Sequence, residues 1–150
     1  MINVLADENM PYVTELFGDF STITFKAGRE IVADDLVDVD VLLVRSITKV
    51  NDALLEKANK LSFVGSATIG LDHIDSASLD ARKITWTNAP GCNAIGVAQY
   101  VLSSLLILAS RQSFDLQSKT VAIVGAGNIG KELSKILNAL AINHFYCDPP

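Results

Sequence analysis

VAIVGAGNIG, residues 121–130, is the stretch on which the reading of this chain turns. Four apolar residues of strand character, 121–124, run directly into Gly125-x-Gly127-x-x-Gly130. The helix-compatible KELSKILNAL follows at 131–140, and a second apolar run, AINHFYC, ends beside Asp148. This is the order of parts that a dinucleotide site requires. Gly125 makes the tight turn from strand to helix. Gly127, lacking a Cβ, lets the backbone approach a pyrophosphate, and Gly130 lets the helix pack closely on the strand. The first helical N–H groups, around Asn128 and Ile129, offer unpaired donors and a partial positive charge to phosphate. An acidic residue closing the second strand accepts hydrogen bonds from ribose hydroxyls and repels an additional phosphate there. Asp148 therefore selects NAD over NADP as the expected cofactor.

Working outward, strand-like runs recur through the first ninety residues at 2–5, 21–25, 41–46, 61–65 and 84–87. Helix-compatible stretches separate them at 11–17, 30–37, 51–60 and 75–83. Asn51 serves as an N-cap for DALLEKANK, and Ile31, Leu36 and Val37 are turned toward a sheet. Strands alternating with helices at this spacing predict a parallel sheet covered on both faces. The expected fold is α/β: a flavodoxin-like, doubly wound parallel sheet over residues 1–92. A long helix at 93–111 then leads into the first β-α-β of a truncated Rossmann NAD-binding domain within 93–150.

Helix residues 94–109, AIGVAQYVLSSLLILA, are apolar on every face, which predicts burial all round, between domains or in a subunit interface. At sixteen residues they fall short of the roughly 20 that cross a bilayer, so no membrane association is expected.

Composition narrows the function classes. The chain has 150 residues, is 49% hydrophobic and 19% charged, and so can bury a core. Its net charge of −5, with no basic cluster, disfavours nucleic acid, which demands many Lys and Arg to displace counterions. Cys92 and Cys147 are too few for a disulfide framework or a metal cluster, and the N-terminus lacks a basic signal region. We expect a cytoplasmic setting and no metal.

Ligand sites in open α/β sheets gather at the carboxyl ends of the strands. Past the third strand come Arg45, Ser46, Thr48 and Lys49; past the fourth, Ser66 and Thr68; past the fifth, residues 88–93. Hydroxyls, backbone donors and two cations on adjoining loops suit an acidic or phosphorylated small molecule. His73, in GLDHID beside Asp72, reads as a turn or cap residue, and His144 as a packed strand residue.

With these loops in view, the chain resembles the D-2-hydroxyacid dehydrogenase family, which pairs a substrate domain with a Rossmann NAD domain. The matching strings are DENMPY at 7–12, VRSITKVN at 44–51, FVGSATIGLDHID at 63–75, APGCNAIGVAQYV at 89–101, VAIVGAGNIG at 121–130 and CDPP at 147–150. DENMPY and APGCNA are more specific than the glycine motif, which all relatives share. The resemblance implies NAD-dependent oxidation of a small phosphorylated 2-hydroxy acid. Carried over by position, Ser46 and Thr68 become substrate contacts. Gly125, Gly127, Asn128, Ile129 and Gly130 surround the pyrophosphate, and Asp148 holds the ribose. Arg45 and Lys49 join the substrate set on charge alone. One departure is Gln99, where relatives often carry Glu. The family's catalytic Arg, acid and His have no counterpart here, so no catalytic residue is assigned. The expectation is an amino-terminal portion of a longer enzyme, without turnover of its own. A homodimer, as in relatives, or interdomain burial would each account for the apolar helix. The alternatives are a relative acting on 3-phosphoglycerate, or a non-catalytic NAD-sensing protein of the same fold.

Overall fold

The computed structural model describes residues 1–148; Pro149 and Pro150, the end of the CDPP string, lie outside the described residues. The chain separates into two compact units, with the division between Pro90 and Gly91.

The first unit is a five-stranded, fully parallel sheet of order β2-β1-β3-β4-β5. Its strands are β1 (Ile2–Asp7), β2 (Ser21–Lys26), β3 (Val41–Val44), β4 (Phe63–Ser66) and β5 (Thr85–Thr87). This is the flavodoxin-like order, with its topological switch between β1 and β3. Period-two alternation divides the apolar residues between two layers. Leu5, Leu42, Val44 and Val64 join Leu36, Val50, Leu79 and Ile84 in one core cluster. Val4, Ala6 and Leu43 pack with Val13 in a second. A sheet buried on both faces explains why β3 reads as an unbroken apolar run.

The crossovers are shorter than the sequence suggested. Only α1 (Val13–Phe17) and α2 (Ser76–Ala81) are α-helical. The stretches at 30–37 and 51–60 form single 3-10 turns, Ala33–Leu36 and Leu54–Lys57. The Asp35 carboxylate accepts a hydrogen bond from the Val32 N–H at 2.8 Å and takes the Lys26 ammonium at 2.6 Å, which ties the first turn to β2. The N-cap position of the second is Ala53 and not Asn51, whose Oδ1 instead accepts from the Leu54 N–H at 3.1 Å from two residues further back. Ile31 and Leu36 are buried as expected, but Val37 is 42% exposed, because the chain leaves the turn after Leu36. Asp75 caps α2 by accepting from the Ser78 N–H at 3.1 Å.

The second unit holds α3 (Ala94–Arg111), β6 (Thr120–Val124), α4 (Asn128–Ala139) and β7 (Asn143–Cys147). The strands are parallel, from Thr120 opposite Asn143 to Val124 opposite Cys147, and α4 makes the crossover between them. Ala98, Val101, Leu105 and Ala109 of α3 pack with Leu133, Ile136 and Leu137 of α4 and with Ile123 and Ile142. All-round burial of α3 is not what the structure shows. Ile95, Tyr100 and Ile107 are 61, 73 and 53% exposed, so α3 has a packed stripe and a bare apolar face. At 18 residues and a mean hydropathy of 1.4, α3 is long and apolar enough to meet a membrane-span criterion, yet it packs on α4 through small residues.

Candidate functional site

The glycine loop is built by close approach of backbone to backbone. Gly125 has φ +102°, a left-handed conformation that L side chains rarely adopt. A Cβ on Gly130 would stand 2.2 Å from the Gly125 carbonyl oxygen, so the first turn of α4 lies hard against the end of β6. Gly127 is different: a Cβ there would meet nothing within 4 Å. It stands at the N-cap of α4, and the first helical bond runs from the Lys131 N–H to its carbonyl. The N–H groups of Asn128, Ile129 and Gly130 therefore have no partner within the helix, the usual state of a helix start. Open space over Gly127 and unpaired donors beside it form a cradle of the kind that takes a diphosphate. Asp148 stands at the rim, its Oδ1 accepting from the Ala126 N–H at 2.9 Å. The carboxylate is thereby tied to the loop, within the same unit and in the register the sequence predicted. These residues fit an NAD adenosine diphosphate.

In the first unit, the carboxyl ends of β3, β4 and β5 bring the other predicted residues together. Val44 pairs with Ser66, and the Ala67 N–H donates to the Val44 carbonyl at 2.9 Å, placing Arg45 and Ser46 beside residues 67 and 68. The Ala89 N–H donates to the Thr68 carbonyl at 3.1 Å, and Asn88 Nδ2 to that of Ile69 at 2.8 Å. Ser46 is exposed and Thr68 half-buried. Lys49 is turned to the side, lining a cleft of about 550 Å³ with Gly28, Arg29, Ile47 and Asn51. The edge thus separates the two cations: Arg45 stands next to Ser46 at the switch point, whereas Lys49 lines the neighbouring cleft with Arg29.

Behind this edge stand contacts that the sequence reading did not assign. Ser66 Oγ lies 2.9 Å from Thr68 Oγ1 and 2.8 Å from His73 Nε2, linking an 8% exposed imidazole to the predicted substrate hydroxyl. The His73 ring therefore supports Ser66 instead of capping a turn. Burial pushes its pKa below the ordinary 6.5, against the opposing pull of Asp72's charge. Asp7, at the end of β1, is fully buried, with Arg45 Nη1 3.9 Å from its Oδ1. Its sequence signals were an acid closing an apolar strand and its place at the head of DENMPY, neither of which pointed to Arg45. His144 is a half-buried strand residue, its Nε2 2.7 Å from Ser134 Oγ. Cys92 and Cys147 are free and exposed, and among the described residues no three His, Cys, Asp or Glu side chains gather to hold a metal.

Comparison with known proteins gives this geometry a context. The profile of the family described as "D-isomer specific 2-hydroxyacid dehydrogenase, catalytic domain" matches residues 1–143. The chain is 52% identical over 149 residues to the erythronate-4-phosphate dehydrogenase of Psychromonas ingrahamii, covering 99% of this chain and 39% of that protein. It is 53% identical over 148 residues to the protein of the same name from Shewanella violacea, covering 99% and 38%. The chain thus spans about two fifths of the length of these curated relatives. Among solved structures, NAD+-bound 3-phosphoglycerate dehydrogenase of Entamoeba histolytica superposes with a TM-score of 0.80 at 24% identity, over 99% of this chain and 54% of that one. The NAD complex of formate dehydrogenase from Staphylococcus aureus gives 0.72 at 24% identity, over 99 and 56%. At such identities the likeness is one of fold.

Proposed function

The chain belongs to the D-isomer specific 2-hydroxyacid dehydrogenase family, and from that premise we propose that it is the amino-terminal part of an NAD-dependent enzyme oxidising 4-phospho-D-erythronate. The product is the corresponding 2-oxo-3-hydroxy-4-phosphobutanoate, and the reaction serves a route to pyridoxal 5'-phosphate. The observation that carries the NAD reading is the Gly125–Gly130 cradle with the Asp148 carboxylate tied to it at 2.9 Å. The substrate is supported by relatives bearing this enzyme's name at about 50% identity across nearly the whole chain.

In this reading the chain's residues bind and orient. The N–H groups at the start of α4 take the diphosphate, and Asp148 takes the adenosine ribose hydroxyls. Ser46 and Thr68 donate to the substrate's oxygens while Arg45 meets one anionic end with its planar fork. Lys49 contributes positive potential from the neighbouring cleft. NAD, when bound, supplies the hydride acceptor. The 2-hydroxyl proton passes to a base supplied by residues outside this chain, since a base must stand within hydrogen-bond reach of the proton it removes. This part alone has no turnover. The bare face of α3 (Ile95, Tyr100, Ile107) is the surface on which a second copy docks to form a cytoplasmic homodimer.

The test is a substrate panel on the complete enzyme, following NADH formation. The proposal predicts kcat/KM for 4-phosphoerythronate well above that for 3-phosphoglycerate, and no NADH from residues 1–150 alone. A preference for 3-phosphoglycerate, or turnover by the 150-residue chain, would contradict it.

A further inference from the structure

At the switch point of the first unit, β1, β2 and β3 close over one carboxylate. Asp7 is 0% exposed, and its Oδ2 is a buried oxygen with no hydrogen-bond partner among the described residues. Oδ1 accepts from the Asn9 N–H at 2.8 Å, which shapes the loop after β1. Gly28, in the loop after β2, presses on the other oxygen: a Cβ there would fall 2.3 Å from Oδ2 and 2.7 Å from Thr48 Oγ1. The buried Thr48 hydroxyl gives no help, because it donates to the Gly28 carbonyl at 2.9 Å. Lys26, at the end of β2, is committed to Asp35 at 2.6 Å. The cation within reach is Arg45, whose Nη1 lies 3.9 Å from Oδ1 and whose side chain is 40% exposed.

A loop turn alone would need only one acceptor oxygen, which Asn supplies as well as Asp. Burying a full carboxylate with one oxygen unpaired is costly, and that cost is offset when the charge acts on a cation through low-dielectric surroundings. Strand register explains the pairing. Ala6 stands opposite Leu43, so Asp7 falls beside Val44 and Arg45 comes one residue later. We infer that Asp7 is a positioning residue: its buried charge holds the Arg45 guanidinium at the carboxyl edge, beside Ser46 and Thr68, where it grips an anionic group of the substrate. The inference rests on the substrate reading given above and adds to it the origin of the arginine's fixed orientation.

The test uses the complete enzyme and a double-mutant cycle. Asp7→Asn keeps an acceptor for the Asn9 N–H and removes only the charge. It should raise KM for the phosphorylated hydroxy acid by about 10- to 100-fold, while kcat and the NAD dissociation constant stay within about threefold. Arg45→Ala should give a loss of kcat/KM at least as large, and adding Asp7→Asn to it should cost nothing more. Additive losses would overturn the inference while leaving Arg45 at the substrate. If Arg45→Ala leaves kcat/KM unchanged, the placement of substrate at this edge fails as well. An independent check needs no variant: in a wild-type crystal soaked with inorganic phosphate, Arg45 should bridge Asp7 and the anion. An Arg45 that binds phosphate after leaving Asp7, or that binds none, would overturn the assignment.

Discussion

The two sheets of this chain make a natural experiment in completeness. In the first unit, β1 and β3 have neighbours on both sides and bury Leu5, Leu42 and Val44 at 2, 0 and 0% exposure. In the second, among the described residues β6 and β7 have only each other, and Val124, Phe145 and Tyr146 remain 75, 55 and 43% exposed. β6 is nearly as apolar as β3, and the difference between them lies in what covers them. One sheet has its layers within 90 residues, whereas the other is a short ribbon on which α4 packs, with α3 packed in turn on α4, and it keeps an exposed apolar surface. A two-stranded unit is marginal by itself, and this one belongs to a chain that spans about two fifths of its relatives. The functional loops divide in the same way. The proposed substrate edge rests on the five-stranded sheet, and the proposed NAD cradle on the two-stranded one.

The largest effect should come from truncating the finished core. Leu42→Ala should cost about 2–5 kcal/mol in urea unfolding of the 150-residue chain. Phe145→Ala should stay within about 0.5 kcal/mol in the same chain, yet cost several-fold more in the complete enzyme if further strands cover β7. Equal costs for the two changes in the 150-residue chain would break the comparison.

Next in size is the proposed ribose ligand. Asp148→Ala in the complete enzyme should weaken NAD by about 1.5–3 kcal/mol, the range for a hydrogen bond to a charged group, as read by calorimetric titration. An unchanged dissociation constant would remove Asp148 from the site. Within the glycine motif, the cradle separates two roles. Gly130→Ala should destabilise the second unit by about 1–3 kcal/mol through overpacking against the Gly125 carbonyl. Gly127→Ala, with open space and a φ of −72°, should change stability by less than about 0.5 kcal/mol while weakening NAD. Urea melts paired with NAD titrations separate the two outcomes.

The smallest effect concerns pH. The pKa of His73 is held below 6.5 by burial, with Asp72's charge opposing, so the folded state prefers the neutral ring. The unfolded chain then binds the proton more readily. This contribution to stability is complete above pH 6.5 and declines as pH falls below it. Replacing His73 with Gln should flatten that slope between pH 7.5 and 5.5; a slope unchanged in the variant would assign it elsewhere.

Much of this was legible in the sequence because it is local. The β6 strand and its turn announce themselves through four apolar residues and a glycine, and Asp75 caps through a bond to a residue three positions on. The 3-10 turns were less legible, because helical propensity does not reveal that a crossover has space for only one turn. The exposed face of α3 within this chain was not legible, since an apolar helix looks the same whether or not its partner is present. Asp7 with Arg45, and Ser66 with His73, were invisible for another reason. Each joins residues that only the strand register or a return of the chain brings together.

The most direct measurement of the central claim is a crystal structure of the complete enzyme with NAD. The account predicts the diphosphate against the N–H groups at the start of α4 and the adenosine ribose hydroxyls on the Asp148 carboxylate. NAD bound away from residues 125–130, or a ribose held without Asp148, would contradict it.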